Sequence, residues 1–345
     1  MIVFFPTYAR RVPGGSGWRA TVAGMVSRPL PARSRRRTLA VAVLKRLLDL
    51  DDVDLDTDVF RRRAEAFLFQ RVAGERLRIS LGDRVFDAGQ SDRSGHFHRE
   101  IDLDDDFVVS LAESQAAGSR RLAYQAAIDD GEGTGGEAAT GGSIHLIEPE
   151  GLSVISDIDD TVKVTNVANR KELLRNTLLR EFVAVPGMAG VYRCWQAAGT
   201  SFHYVSASPW QLANCLDGFL RDAGLPGGSL HLKLFRLKDS TPLGRLPSRK
   251  RSKRRAIEQV MADFPGRRFL LVGDSGERDP EVYAEVAQRR PGQVTGIAIR
   301  EVESRHTPEK VRGRLKRLAR RLPEGFMTVF SDANGLEDCF PACCR

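Results

Sequence analysis

The run Val154-Ile155-Ser156-Asp157-Ile158-Asp159-Asp160-Thr161 places two carboxylates two residues apart at the end of a short apolar stretch. A buried strand that ends in acids marks a chemical site, because an open parallel sheet binds its ligands outside the carboxyl ends of the strands. Alternate residues of an extended segment face the same way, so Asp157 and Asp159 can address one cation and one phosphate together. The same residues also suit a turn or a helix cap, since Asp-Asp-Thr is a good N-terminal capping sequence. The residues at the ends of the other strands decide between the two.

From Leu152 onward the chain alternates between strand-like and helix-like patterns, the rhythm of a parallel sheet covered on both faces. Strands are expected at Leu152 to Ser156, Phe202 to Ser206, Leu230 to Phe235, Phe269 to Gly273 and Val294 to Ile299. Helices are expected near Ala189 to Ala198, Trp210 to Ala223, Lys253 to Phe264 and Pro280 to Arg289. Upstream, Leu77 to Leu81 and Phe107 to Leu111 have strand-like spacing, and Ser94-Gly95 is a turn signal. Leu39 to Leu50 carries a helical apolar face. Between the halves lies a polar, Gly-rich stretch, read as a linker. The expected architecture is α/β: a doubly wound, parallel-sheet, Rossmann-like domain over 143–335, preceded by a smaller mixed, β-sandwich-like domain over 1–130. A linker at 131–142 and a short Cys-containing tail at 336–345 complete the expectation.

Composition narrows the class. At 345 residues the chain has room for two hydrophobic cores. Its 41% hydrophobic and 28% charged residues are those of a soluble globular protein. Five cysteines without a Cys-x-x-Cys pair suggest neither a disulfide framework nor a structural zinc site. Cys339, Cys343 and Cys344 read as free thiols on the tail. No segment reaches the roughly 18 apolar residues of a membrane span, and Met1 to Phe5 lacks the basic flank of a signal peptide. A cytoplasmic location, or one peripheral to a membrane, is expected. The net charge of +8 favours an anionic partner: nucleic acid, an acidic lipid surface or a phosphorylated substrate.

Polar groups recur at successive strand ends of the second half. After Asp157 and Asp159 come Ser206 and Ser208 in Val205-Ser206-Ala207-Ser208-Pro209, then Lys253 at the start of a helix, then Asp274 in Gly273-Asp274-Ser275-Gly276, with Asp279 five residues on. Singly, each has a structural reading. The serines can cap a helix, Lys253 can be one more solvated base in a run of seven basic-rich positions, and Gly-Asp-Ser-Gly can be a turn. Lys250 and Lys238 compete with Lys253, which is preferred because it opens the amphipathic pattern Ala256, Ile257, Val260, Met261, Phe264.

In this order the residues resemble the four motifs of the haloacid dehalogenase superfamily of phosphotransferases. The resemblance implies Asp157 as the nucleophile that forms an aspartyl phosphate, and Asp159 as the acid and then base. It implies Ser206 and Lys253 as phosphoryl-binding and charge-neutralising groups, with Ser208 beside them. It further implies Mg2+ held by Asp157, Asp274 and the backbone carbonyl of Asp159, with Asp279 nearby or ligating through water. Thr161 is expected to orient Asp159.

Closer still, Ser156 to Val164, Tyr204 to Trp210 and Phe264 to Tyr283 resemble the actin-patch-type phosphatidate phosphatase family, whose catalytic domain is related to that of the lipins. This implies Mg-dependent hydrolysis of phosphatidate to diacylglycerol and phosphate. The resemblance covers about 143 to 305, and Arg61 to Val85 more weakly. The chain lacks the Pro-rich tail of the fungal pattern, so no cytoskeletal or other specific protein partner is expected. Roughly 45 residues separate Asp160 from Ser206, and a similar number Ser206 from Lys253, too few for an inserted cap domain. An uncapped site suits a bulky substrate. An uncapped phosphatase for phosphoproteins or other phosphomonoesters is the alternative enzyme. A non-catalytic basic module that binds polyanions or membranes is the alternative from another class; nucleic acid is not the favoured partner. Val311, Leu315, Leu318 and Leu322 form one side of a helix whose other side carries Arg312, Arg314, Lys316, Arg317, Arg320 and Arg321. That stripe suits either an anionic bilayer or the core, and packing on the sheet is the expectation.

Overall fold

The computed structural model describes residues 1–31, 33–35, 37, 38, 42, 57–115, 120–129, 140–233, 249–304 and 306–339. A nine-stranded sheet is built from β1 (Ile2–Phe4), β2 (Thr7–Arg11), β3 (Trp18–Pro29), β4 (Phe69–Arg71), β5 (Arg76–Leu81), β6 (Arg84–Gln90), β7 (His96–Leu103), β8 (Arg121–Ile128) and β9 (Thr140–Ile147). It is mixed: β2 pairs parallel with β9, and the other pairs are antiparallel. The long strand β3 is its spine, pairing with β1, β2, β4 and β7. Period-two alternation puts Leu77, Ile79 and Leu81 inward from β5, and Leu122, Tyr124 and Ala126 inward from β8, into one shared core. Helix α1 (Asp58–Glu65) lies between β3 and β4, and α2 (Asp105–Gln115) between β7 and β8.

Two expectations change here. Phe107 to Leu111 is helical, within α2. The Asp104 carboxylate accepts the Phe107 backbone N–H at 2.8 Å, an N-cap that starts the helix, and Phe107, Val108 and Leu111 then share one buried face. The Gly141-Gly142 pair lies in β9, not in a linker. A Cβ on Gly142 would sit 2.3 Å from the Tyr124 ring, so glycine there admits the tyrosine of the neighbouring strand. Residues 131–139 of the expected linker, and the expected helix at 39–50 apart from position 42, lie outside the described residues.

The second sheet begins at Gly151. It contains β10 (Gly151–Ser156), β13 (Ser201–Pro209), β14 (Ser229–Lys233), β15 (Arg267–Asp274), β16 (Val294–Arg300) and β17 (Met327–Phe330). All its pairs are parallel, in the order β14-β13-β10-β15-β16-β17. A small hairpin, β11 (Lys163–Val164) with β12 (Val183–Ala184), follows β10. The helices are α3 (Arg170–Leu178), α4 (Met188–Ala197), α5 (Ala213–Asp222), α6 (Arg249–Asp263), α7 (Asp279–Arg289) and α8 (Pro308–Ala319).

Alternation in β10 explains the layering. Val154 joins Tyr192 and Trp195 of α4 and Leu216 and Phe219 of α5 in one core. Ile155, one residue on, joins Ile257 and Val260 of α6, Val282 and Tyr283 of α7, and Val311 and Leu315 of α8 in the other. The sheet is therefore apolar on both faces, as the unbroken Leu-Val-Ile runs require. Because β10 pairs with both β13 and β15, the strand order turns outward on either side of it. The acids that follow β10 emerge at that crevice. Beyond β17, a 3-10 segment spans Ala333–Cys339 with Leu336 fully buried, so the packed fold runs past position 335. Cys343 and Cys344 lie outside the described residues. No described helix is long and apolar enough to cross a membrane.

Candidate active site

Asp157 leaves the end of β10 with its backbone N–H bonded to the Val272 carbonyl of β15 at 2.8 Å. The neighbouring strand thus fixes where its side chain goes. Asp274 ends β15, and Asp279 opens α7, where Pro280 suits the first turn. Gly273 makes the approach of these acids feasible, since a Cβ there would lie 2.4 Å from Asp279 Oδ2. Asp157, Asp274 and Asp279 are buried, and each offers a carboxylate oxygen within 4.8 Å of the others.

Among the described residues, one ammonium faces this trio. Lys253, in the first turns of α6, donates from Nζ to Asp157 Oδ1 at 2.6 Å and to Asp279 Oδ1 at 2.5 Å. Of the two lysines that compete with it in sequence, Lys250 is 44% exposed and pairs with Glu285, and Lys238 lies outside the described residues. Burial lowers the affinity of Lys253 for its proton, but Asp157 and Asp279 more than compensate and hold it charged. Asp157 is pushed well above the usual carboxylate range by burial, against the pull of Lys253 and with the repulsion of Asp279 and Asp274. Burial, and then Asp279, push Asp274 the same way. A single cation does not neutralise three buried carboxylates.

Asp274 supplies a test of whether a metal ion fits. Its Oδ1 accepts the backbone N–H groups of Gly276 at 2.6 Å and Glu277 at 3.0 Å, whereas its Oδ2 is buried without a hydrogen-bond partner. A buried, unpaired carboxylate oxygen among two other carboxylates is a hard-oxygen donor set, suited to Mg2+. The residues present fit a divalent cation, held by Asp157 and Asp274 with Asp279 adjacent.

Asp159 belongs to a second constellation. Its Oδ1 accepts from Lys163 Nζ at 2.8 Å and Thr165 Oγ1 at 2.8 Å. Its Oδ2 accepts from Ser206 Oγ at 3.0 Å and Ser208 Oγ at 2.6 Å. Burial alone would raise its proton affinity, but Lys163 and the hydroxyls overcome that and hold it below the usual carboxylate range. With both oxygens engaged, the Asp159 carboxylate stands outside the acid trio. Thr161 corrects a further expectation: its Oγ1 donates to Asp157 Oδ2 at 3.4 Å, and Thr165 is the threonine that contacts Asp159. Two-residue alternation suggests a common direction for Asp157 and Asp159, but the chain turns at Asp160.

Asp160 makes that turn. Its φ is +56°, a left-handed conformation tolerated by aspartate. Its carboxylate accepts the backbone N–H groups of Thr165, Asn166 and Val167 at 2.8, 2.7 and 2.7 Å. Arg300 of β16 donates to its carbonyl at 2.7 Å. The loop so pinned contributes Val167 and Ala168 to a cavity of about 420 Å³ beside the acids, lined also by Lys250, Arg278, His306 and Arg314. Sequence reasoning missed Lys163, Thr165 and Arg300. Lys163 lies in no periodic pattern, and its signal is only its place four residues after Asp159.

The fold and site together define an α/β protein with a carboxylate and lysine centre at the carboxyl edge of a parallel sheet. Residues 152–301 match the family described as phosphatidate phosphatase APP1, catalytic domain. Through that segment the chain is similar to the actin-patch-type phosphatidate phosphatases. It is 34% identical to phosphatidate phosphatase APP1 of Saccharomyces cerevisiae over 160 residues, covering 45% of this chain and 27% of the relative. An uncharacterized protein of Schizosaccharomyces pombe is 33% identical over 165 residues, covering 47% and 27%. The chain thus spans about a quarter (27%) of the length of these curated relatives. Among solved structures, a carbohydrate esterase aligns over 94% of this chain and 98% of its own, at 10% identity and a TM-score of 0.22, a likeness too low to bear on fold or function.

Proposed function

We propose that the chain is a phosphatidate phosphatase of the haloacid dehalogenase type, with a Rossmann-like catalytic domain, acting through an aspartyl phosphate. The observation that carries this reading is the Asp157, Asp274 and Asp279 trio around Lys253, with the orphaned Asp274 Oδ2, inside the segment that matches the family. Bound Mg2+ would supply positive charge against which a phosphate dianion and carboxylates can meet.

Asp157 attacks phosphorus, an Asp–O–P bond forms, and the bond from phosphorus to the glycerol oxygen breaks, with protonated Asp159 giving that oxygen the proton of the diacylglycerol hydroxyl. Lys253 holds the nucleophile in place and offsets charge on the transferring group. Asp159 rests as a carboxylate, prepared for the base step in which water attacks the aspartyl phosphate. Its acid role requires a proton, and an arriving dianion that draws the Ser206 and Ser208 hydroxyls away raises its proton affinity. The serines then donate to phosphoryl oxygens. Between Asp160 and Ser206 the chain builds only the β11–β12 hairpin, α3 and α4 before β13, so that stretch holds no inserted cap domain, and an open site admits a lipid at a membrane surface. A cytoplasmic protein, peripheral to anionic membranes, is the corresponding location.

Phosphate release from phosphatidate in mixed micelles, with Mg2+ and with EDTA, compared with release from phosphopeptides and soluble phosphomonoesters, tests the reading. Lipid preference and Mg dependence are expected. Equal rates on all three substrate classes would point to a general phosphomonoesterase.

A further inference from the structure

The support of the Asp159 carboxylate reaches beyond residues 152–301, the segment that matches the family. Helix α1, in the first half of the chain, sends Arg63 into the second half. Its side chain is buried, 4% exposed, and donates from Nη1 to the backbone carbonyls of Thr177, at 3.1 Å, and Arg180. Nη2 meets the Glu181 carboxylate at 3.3 Å, and Cζ lies 3.7 Å from the centre of the Phe182 ring. All these partners lie in the turn that leaves α3 and enters β12. One buried guanidinium therefore clamps that turn.

The clamped turn carries the supports of Asp159. Lys163 Nζ, which donates to Asp159 Oδ1 at 2.8 Å, lies 4.7 Å from the centre of the same Phe182 ring. A ring attracts a cation most when both are withdrawn from water, and Lys163 is 2% exposed. Such a contact gives a flexible ammonium one place to rest. Strand β12 also pairs with β11, placing Ala184 opposite Lys163. Asn176, the residue before Thr177, donates from Nδ2 to the Thr165 carbonyl at 2.9 Å, and Thr165 Oγ1 donates to Asp159 Oδ1 at 2.8 Å. A buried arginine that only anchored α1 would bond the same carbonyls; the shared ring joins this one to the site.

We propose that Arg63 and Phe182 are positioning residues of the phosphatase reaction: they fix Lys163, and through it the direction in which the Asp159 carboxyl presents its proton to the leaving oxygen. The role rests on the phosphatase reading above and gives the first half of the chain a part in its chemistry.

A misdirected acid matters in proportion to the departing oxygen's need for a proton. The alkoxide of diacylglycerol needs one, whereas p-nitrophenolate leaves without it. The comparison is made in kcat/KM, which covers the steps through departure of the alcohol and omits the later attack of water. In the full-length protein with Mg2+, Arg63→Ala and Phe182→Leu, each checked for folding by circular dichroism, are expected to lower kcat/KM for soluble dihexanoyl phosphatidate about tenfold more than for p-nitrophenyl phosphate. Phe182→Tyr keeps an aromatic face and is expected to hold the wild-type ratio of the two. Arg62→Ala is the control, since Arg62 is 66% exposed and pairs with the same Glu181; its ratio should match wild type. The two changes combined should shift the ratio no further than the larger alone, because they act along one path. Should Arg63→Ala not fold, Phe182→Leu decides by the same ratio. A wild type that releases no phosphate from phosphatidate defeats the lipid-phosphatase reading, and this role with it. A wild type active on both esters, with variants that lose activity equally on the two or not at all, overturns the positioning role alone and leaves Arg63 an anchor for α1. A ratio that falls as far in Phe182→Tyr as in Phe182→Leu overturns the ring as the link.

Discussion

The two carboxylate groups of the site are built on opposite principles, although Asp157 and Asp159 are two residues apart. Around Asp157, three buried acids share one lysine, and an oxygen of Asp274 has no partner. Around Asp159, one acid receives a lysine and three hydroxyls. The first group is short of positive charge and the second is fully supplied. A cation-binding nucleophile needs the former, and a carboxylate that must be ionised before it can take a proton from water needs the latter.

Replacing the proposed nucleophile gives the largest expected effect. Asp157→Asn should reduce phosphate release by about a thousandfold or more while leaving the fold intact, since it removes a repelled carboxylate. Activity unchanged in pure protein would remove Asp157 from the mechanism. On the other side, Lys163→Met leaves the Asp159 carboxylate buried without its ion-pair partner and should destabilise the protein by about 3–5 kcal/mol, read by urea unfolding. A loss under about 1 kcal/mol would mean that the hydroxyls suffice to hold it.

Metal and pH divide the two groups further. Mg2+ at a hundredfold excess over its Kd should stabilise the wild type by about 2.7 kcal/mol, an increment that Asp274→Asn abolishes. In EDTA the pH slopes should oppose each other. Asp157 and Asp274 have folded proton affinities raised above the unfolded value, so the folded form binds the extra protons and stability falls as pH rises above the usual carboxylate range. Asp159 has its affinity lowered, so its contribution is present above that range and is lost as pH falls below it. Asp274→Asn should flatten the first slope and leave the second. If unfolding free energies in EDTA rise steadily with pH in both proteins, the charge deficit around Asp157 is not there.

Strand and motif positions of the second sheet were legible because each strand is a near-continuous apolar run buried on both faces, as Val154 and Ile155 show by entering different cores. The acids stood out because they interrupt those runs. What escaped was set by tertiary contact. Phe107 to Leu111 has spacing short enough to suit either period, and the Asp104 cap decides it. Gly141-Gly142 has linker composition, and the Tyr124 ring explains the glycine at 142. The partner of Thr161 depended on the left-handed turn at Asp160, which a two-residue rule does not anticipate.

The smallest expected effect concerns the outer face of α8. Val311 and Leu315 are buried against the sheet, so the apolar stripe of this helix is committed to the core and is not available to enter a bilayer. Arg312, Lys316, Arg317 and Arg320 are exposed, with Arg312 joined to Glu301. Arg314 instead turns inward and donates to the Ser275 carbonyl at 2.7 Å, tying this helix to the loop that carries Asp274. Any attraction of α8 to a membrane is therefore electrostatic. Lys316→Glu with Arg317→Glu should weaken binding to phosphatidylserine vesicles by about 1 kcal/mol per residue. Added salt should erase the difference, because exposed charges are screened within about 8 Å at physiological ionic strength. Rates on p-nitrophenyl phosphate should stay level, since neither side chain faces the carboxylates. Vesicle binding that survives both charge reversals and high salt would locate the membrane contact elsewhere.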